Sequence, residues 1–348
     1  MRDKQGENLI FLISQPRSGS TLLQHMLGSH SKIHTLPEPW FMLPLVYIMR
    51  ESGCSAEYNS AYARLALSDY LKRIPDGKKT YCSAVCGMAS TLYEKALEGT
   101  DKSYFLDKTP RYYHIIPELK EIFPKAKFIL LIRNPLAVLL SILDVNFSGE
   151  WTDFSHQDRL HDVLLAPKLI LNGIAKLGDQ AVVVHYEKLV ANPQAELMRI
   201  SGELGLAFED GMDTYGDKVK FENTTFVDPK SIYKHSASVP DYIDGWKKRL
   251  NTAERRQMAR EYLERLGKQT VDAQGYSYDA LLAELNTDKK VHAASLISWA
   301  MLEKDGENFS SKEKGKLALY NLMRGYGIGR AVKRVIRNRL ATHLKKEN

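Results

Sequence analysis

The sequence predicts an α/β fold, a parallel sheet flanked by helices, and three stretches carry that reading. Leu9–Ser14 is an apolar run that passes into Gln15-Pro16-Arg17-Ser18-Gly19-Ser20-Thr21 and then a helical pattern. Lys127–Ile132 is a second run, closed by Arg133 and followed by Asn134 as a helix cap and Pro135 at the first helical position. Ala181–His185 is a third, followed by Tyr186-Glu187-Lys188-Leu189 and by Asn192-Pro193 opening another helix. Short continuous apolar runs suit strands buried on both faces, and helical crossovers between them make neighbouring strands parallel.

The remaining elements follow in order. A short strand is expected near Lys32–Leu36, then a helix-rich insertion over about 40–97, punctuated near Pro75–Gly77. Tyr104–Lys108 reads as another strand. The helix after Asn134 runs to about Leu143, a polar and aromatic loop covers Asn146–Phe154, and a long helix spans about Asp158–Leu177. A helix after Asn192 reaches Leu204. Residues 207–245, rich in Asp, Thr and Tyr, suit a lid, and a further helix covers Thr252–Leu266. The expected organisation is an α/β domain over 1–280 and a helical, basic C-terminal extension over 281–348.

The first turn carries the chemistry. Successive backbone N–H groups at the start of a helix have no partners of their own, converge on one point and add the positive end of the helix dipole, so a phosphate or sulfate fits there. A nucleoside-triphosphate loop needs an earlier Gly, four spacers and then Gly-Lys-Ser/Thr. Here the early Gly is absent, Ser20-Thr21 follow Gly19 directly, and the nearby cation, Arg17, precedes it. A P-loop-like nucleotide kinase or ATPase is therefore the weaker alternative.

Composition narrows the class. The chain has 348 residues, 44% hydrophobic and 26% charged, the profile of a globular protein with length for one large domain and extensions. No apolar run reaches membrane-spanning length, and the first eight residues are polar. Cys54, Cys82 and Cys86 show no metal-like clustering and read as reduced, structural thiols. The formal net charge is +7, yet Lys312–Asn348 holds eleven Lys/Arg and two Glu, leaving residues 1–311 with 38 basic against 40 acidic groups. Within that tail Ile328, Val332, Val335, Ile336, Leu340 and Leu344 recur at helical spacing among Arg330, Lys333, Arg334, Arg337 and Arg339. Such a basic amphipathic helix fits docking on its own domain, an anionic membrane surface or an acidic carrier protein. An adaptor that works through this tail, on membrane or nucleic acid, is the second alternative; no nucleic-acid partner is expected.

The strand-Pro-Arg-Ser-Gly-Ser-Thr-Leu-Leu pattern resembles the 5′-phosphosulfate loop of sulfotransferases that use 3′-phosphoadenosine 5′-phosphosulfate, PAPS, and release adenosine 3′,5′-bisphosphate, PAP. Three further segments resemble that family in the expected order. Arg133 and Ser141, eight residues apart, match its 3′-phosphate site. Tyr104–Pro110 matches the strand end that carries a Lys near the transferred group, here Lys108. Ala181–Leu189 matches the last core strand and its Tyr-Glu-x-Leu turn, which sets Tyr186 against the adenine. More weakly, Tyr242–Arg249 resembles the Gly-x-Trp-Arg/Lys region, with Lys234, Ser236 or Lys247 as further contacts to the 3′-phosphate. The resemblance covers about residues 9–250 and implies a P-loop-nucleotide-kinase-like sheet.

What it implies for chemistry is in-line, metal-independent transfer of a sulfuryl group to an acceptor hydroxyl on a lipid, glycolipid, sugar or carrier-bound acyl chain. Arg17 and Lys108, with the amides of Ser18, Gly19, Ser20 and Thr21, would offset charge on the bridging and sulfuryl oxygens. The small-molecule branch places a His base two residues after the Lys, where this chain has Pro110. Leu36-Pro37-Glu38-Pro39-Trp40 instead resembles the bacterial and tyrosylprotein branches, where a Glu after the second strand takes the proton; Glu38 is the expected base, with His34 and His114 as alternatives. The Golgi-type members carry an N-terminal anchor, so a cytoplasmic location, peripheral at the membrane if the tail binds it, is expected.

Overall fold

The computed structural model describes residues 5–50, 58–146, 160–216, 218–219, 221, 236–251 and 253–286. The expected contact Lys234, the loop beyond Asn146, Cys54 and the basic tail lie outside these residues. The chain divides into two compact units, one of residues 1–134 and 166–243, the other of 135–165 and 244–348.

The first unit is built on a five-stranded parallel sheet. Its strands are β1 (Leu9–Ser14), β2 (Ile33–Thr35), β3 (Tyr104–Lys108), β4 (Lys127–Ile132) and β5 (Ala181–His185), in spatial order β2-β3-β1-β4-β5. Register sets Leu12 beside Lys108, Phe11 beside Asp107, Ser14 beside Leu131 and Ile132 beside His185. β1 is buried along its whole length, as a central strand covered on both faces must be. Its alternate side chains enter different layers. Ile10 and Leu12 join Leu23, Met26 and Leu27 of α1 (Ser20–Gly28) in one core cluster. Phe11 points the other way, its ring 5.5–6.3 Å from those of Tyr93, Tyr112, Phe123 and Phe128.

Between β2 and β3 lie α2 (Met42–Tyr47), α3 (Ser60–Leu71) and α4 (Gly77–Leu97). α3 is capped by the Asn59 side chain, which accepts from the Tyr62 N–H at 3.0 Å, and of its own residues buries Leu71 alone. After β3, a 3-10 turn over Pro110–His114 leads to α5 (Ile116–Ile122). α7 (Ala166–Leu177) precedes β5, which runs directly into α8 (Tyr186–Ala191) and α9 (Pro193–Glu203). The Tyr-Glu-x-Leu turn of the sequence is thus a short helix. Asn192 caps α9 by accepting from the Ala195 N–H at 3.3 Å, with Pro193 at the first helical position.

The second unit begins with α6 (Pro135–Asn146), whose first residue follows Ile132, the end of β4, after Arg133 and Asn134. Leu136, Leu139 and Leu140 pack in a core with Trp246, Tyr262 and Leu263. A π turn over His161–Leu165 offers its Val163 carbonyl to the Tyr262 hydroxyl at 3.2 Å. The helices α10 (Ala253–Leu266), α11 (Lys268–Ala273) and α12 (Tyr278–Glu284) complete it. No described helix is long and apolar enough to cross a membrane.

Candidate active site

Every strand of the sheet delivers a candidate residue at its carboxyl end: the first turn after β1, Glu38 after β2, Lys108 on β3, Arg133 after β4 and Tyr186 after β5. In open parallel sheets this edge is where ligands bind, because helix N-termini and connecting loops converge there.

The first turn is folded for an anion. Ser18 N–H donates to the Gln15 carbonyl at 3.2 Å, and Arg17 and Gly19 both take left-handed backbone conformations, φ 70 and 96. The start of α1 has no side-chain cap and no acidic residue in its first turn. Its N–H groups are therefore not spent on a carboxylate. Ser18 Oγ is buried without a hydrogen-bond partner among the described residues, which leaves a buried hydroxyl suited to a phosphate or sulfate oxygen. These features fit an anion at Ser18, Gly19, Ser20 and Thr21.

Gly19 is required on two counts. Its φ of 96 disfavours any L side chain, and a Cβ there would stand 2.5 Å from two ring carbons of Tyr186. Tyr186 is buried, with the Arg133 guanidinium 3.9 Å over its ring centroid. Arg133 donates from Nη1 to the Arg17 carbonyl at 3.2 Å and from Nη2 to the Tyr242 carbonyl at 3.4 Å. Glu187 completes this side by accepting the Asn134 N–H at 3.0 Å. The ring expected to face adenine thus also wedges between the turn and Arg133. Gly19→Ala is expected to cost roughly 1–3 kcal/mol of stability and to weaken PAP binding at least tenfold, read by thermal melting and calorimetry.

Glu38 and Lys108 meet. Lys108 Nζ lies 2.6 Å from Glu38 Oε1, with side-chain exposures of 5% and 17%. The other carboxylate oxygen, Oε2, accepts from the Trp40 indole N–H at 2.9 Å. Trp40 holds a left-handed backbone, φ 57, and the Arg111 guanidinium lies 5.4 Å from its ring. Such strain in a bulky residue persists only where surrounding contacts fix it, and here it aims the indole at the carboxylate. Pro37 and Pro39 stiffen the flanks, and Gln24 of α1 donates to the Leu36 carbonyl at 3.0 Å and to Thr35 Oγ1 at 2.8 Å. Both oxygens of Glu38 are therefore oriented. Of the alternative bases, His34 has its pKa lowered by burial and by Lys102, and its ring packs on Phe105; His114 packs on Tyr47 and Tyr113.

Ser236, Ser141 and Lys247 were the other described residues expected to contact the nucleotide. Ser236 is exposed in the first unit, its carbonyl accepting from the Gly216 N–H at 3.3 Å. Ser141, buried on α6, and Lys247 belong to the second unit, and Lys247 is paired with Asp244 at 3.3 Å and Glu284 at 3.1 Å. Cys82 and Cys86 are free thiols, Cys82 with its pKa raised by burial. Among the described residues no His, Cys, Asp and Glu cluster could hold a metal ion. Sequence reasoning missed Trp40, Glu187 and the buried Asp107, whose signal was an acidic residue inside an apolar strand.

Known proteins are similar to this chain. It is 32% identical over 214 residues to the nodulation protein NoeE of Sinorhizobium fredii, covering 57% of this chain and 50% of that protein. To protein-tyrosine sulfotransferase 1 of Danio rerio it is 25% identical over 206 residues, 59% and 55% of the two chains. The chain thus spans about half the length of these curated relatives. The sulfotransferase domain of the curacin biosynthetic pathway superposes with a TM-score of 0.47 at 22% identity, covering 68% of this chain and 89% of that one. The family model described as the sulfotransferase family matches residues 9–210, more than half of the chain and every strand of the sheet, and to that family the protein belongs.

Proposed function

We propose that this chain is a PAPS-dependent sulfotransferase in which Glu38 is the base and Lys108 and Arg17 are the catalytic cations. The observation that carries this reading is the Glu38–Lys108 contact of 2.6 Å in a family member whose first turn offers an uncapped helix start and a buried, unpaired Ser18 hydroxyl. PAPS supplies the activated sulfuryl group. Glu38, both of its oxygens oriented, takes the acceptor's proton; Lys108 offsets negative charge on the transferring group and the bridging oxygen. Arg17 and the turn amides hold the 5′ end, and Arg133, with Ser141 carried on the resemblance alone, takes the 3′-phosphate. Tyr186, Lys234, Ser236 and Lys247 are further nucleotide contacts on the same ground. The missing triphosphate-loop lysine disfavours a kinase or ATPase.

The acceptor is a hydroxyl. The relatives named protein-tyrosine sulfotransferases add a phenol to the lipid, glycolipid, sugar and carrier-bound acyl chains considered above. The 1–280 domain would do the chemistry, while the 281–348 extension would bring it to an anionic membrane or an acidic carrier from the cytoplasmic side. The test is transfer of label from ³⁵S-PAPS into a cell extract. A labelled hydroxyl-bearing product is expected, with PAP binding in the low micromolar range or tighter; no labelled product and no PAP binding would overturn the reading.

A further inference from the structure

A buried glutamine joins the elements that carry the first turn, Glu38 and Lys108. Gln24 lies on α1, four residues beyond Ser20 and so roughly 6 Å along the helix from the turn, and it is fully buried. Its Nε2 group donates to Thr35 Oγ1 at 2.8 Å, at the end of β2, and to the Leu36 carbonyl at 3.0 Å, in the segment that leads into Pro37-Glu38-Pro39. Thr35 Oγ1 donates in turn to the Leu106 carbonyl of β3 at 2.9 Å. Thr35 and Leu106 are register partners in the sheet, Thr35 three residues before Glu38 and Leu106 two before Lys108.

The direction of each bond in this series is fixed by what its atoms can do. The carbonyls of Leu36 and Leu106 only accept, so the Thr35 hydroxyl spends its one hydrogen on Leu106 and must accept from Gln24. The Gln24 amide has two hydrogens and both are used, while its Oε1 is buried with no hydrogen-bond partner among the described residues. The amide cannot turn over without losing both bonds. We propose that Gln24, acting through Thr35, is the positioning residue that holds the Glu38–Lys108 pair at a fixed distance from the first turn. Its catalytic consequence rests on the sulfuryl-transfer reading; the tie itself does not. In-line transfer needs attacking oxygen, sulfur and bridging oxygen on one line, so its rate depends on the separation of the base from the turn that holds the donor.

Substitutions in the full chain test this. Gln24→Met keeps the length of the side chain and removes both donors, Thr35→Val keeps the shape and removes the hydroxyl, and Thr35→Ser keeps the hydroxyl. In Gln24→Met and Thr35→Val, PAP release at saturating PAPS, with heat-treated cell extract as the acceptor source, is expected to fall about tenfold or more. KM for PAPS and PAP affinity stay within about twofold of wild type, and Thr35→Ser keeps PAP release within about threefold. Amide hydrogen exchange over residues 36–43 quickens about tenfold in the first two variants, with residues 9–14 unchanged. Unchanged exchange over 36–43, or quickening spread evenly over the chain, would overturn the tie. The positioning role fails if exchange quickens there with PAP release unaltered, if PAP affinity falls in step with PAP release, or if Thr35→Ser does no better than Thr35→Val. Should Gln24→Met not fold, the contrast between Thr35→Val and Thr35→Ser decides. If wild type itself releases no PAP, the sulfuryl-transfer reading fails, and with it the catalytic role; the exchange pattern then decides the tie alone.

Discussion

Lys108→Met is expected to lower turnover by about 10²–10³-fold while PAP affinity stays within threefold of wild type. The side chain is almost fully buried, and its ammonium has a defined partner, Glu38 Oε1 at 2.6 Å. Removing the charge does two things at once. It deletes the cation proposed to offset charge developing on the transferring group, and it leaves the Glu38 carboxylate with the Trp40 indole N–H as its hydrogen-bond donor among the described residues. Nucleotide affinity is spared because the first turn and Arg133 are built from β1, α1 and β4. Lys108→Arg is not expected to rescue, since a planar guanidinium cannot occupy the position of a compact ammonium without moving the carboxylate. The double variant Lys108→Met/Glu38→Gln should lose little more than the single one, because the proposed base and cation would act as a unit. Turnover is read as PAP released from PAPS in the presence of the labelled acceptor fraction; equal loss of PAP affinity in Lys108→Met would show that the lysine serves binding instead.

That pair illustrates how far the sequence reaches. β1, β4 and β5 were legible as short apolar runs closed by a polar or charged residue, Ser14, Arg133 and His185. The helix starts were legible from Gly19, Asn134-Pro135 and Asn192-Pro193. Glu38 and Lys108 were each named from their own segment, 70 residues apart in the chain, and their meeting follows from β2 and β3 being neighbours in the sheet. The pattern of letters contains no such adjacency. Trp40 was visible only as an aromatic residue after a Pro-rich turn; its left-handed backbone, which turns the indole toward Glu38, depends on tertiary contacts. Asp107 shows the complementary difficulty. Inside the motif Tyr104–Pro110 it reads as one more polar strand-end residue, and its hydroxyl donors, Tyr93 and Thr109, come from α4 and from the residue that follows Lys108. The helix at Tyr186–Ala191 was read as a turn because six residues are too few to show a period.

Asp107 also has a thermodynamic signature, and its sign is unusual. A rise in pKa from 3.8 to about 6 means that the folded protein holds this proton over a pH range in which the unfolded chain has released it. The folded state then binds more protons than the unfolded one between those two values, so this group's contribution to stability falls as pH rises from about 4 to about 6 and is level above and below. At 1.36 kcal/mol per unit of pKa the full change is on the order of 3 kcal/mol, about a hundredfold in the folding constant. Ordinary carboxylates pull the other way. Asp272, whose pKa is lowered by the Tyr278 N–H and then by Lys268, contributes stability that is lost as pH falls. The measurement is therefore a difference: chemical denaturation of wild type and Asp107→Asn at half-unit steps from pH 4 to pH 8. The variant should gain on wild type by about 3 kcal/mol between pH 4 and pH 6 and by nothing further above it, because the amide has no proton to lose. A flat difference curve would mean that Asp107 titrates near its ordinary value, with its hydroxyl hydrogen bonds fully offsetting its burial. A curve of the predicted sign would show that the strand end next to Lys108 is held at a standing cost to stability.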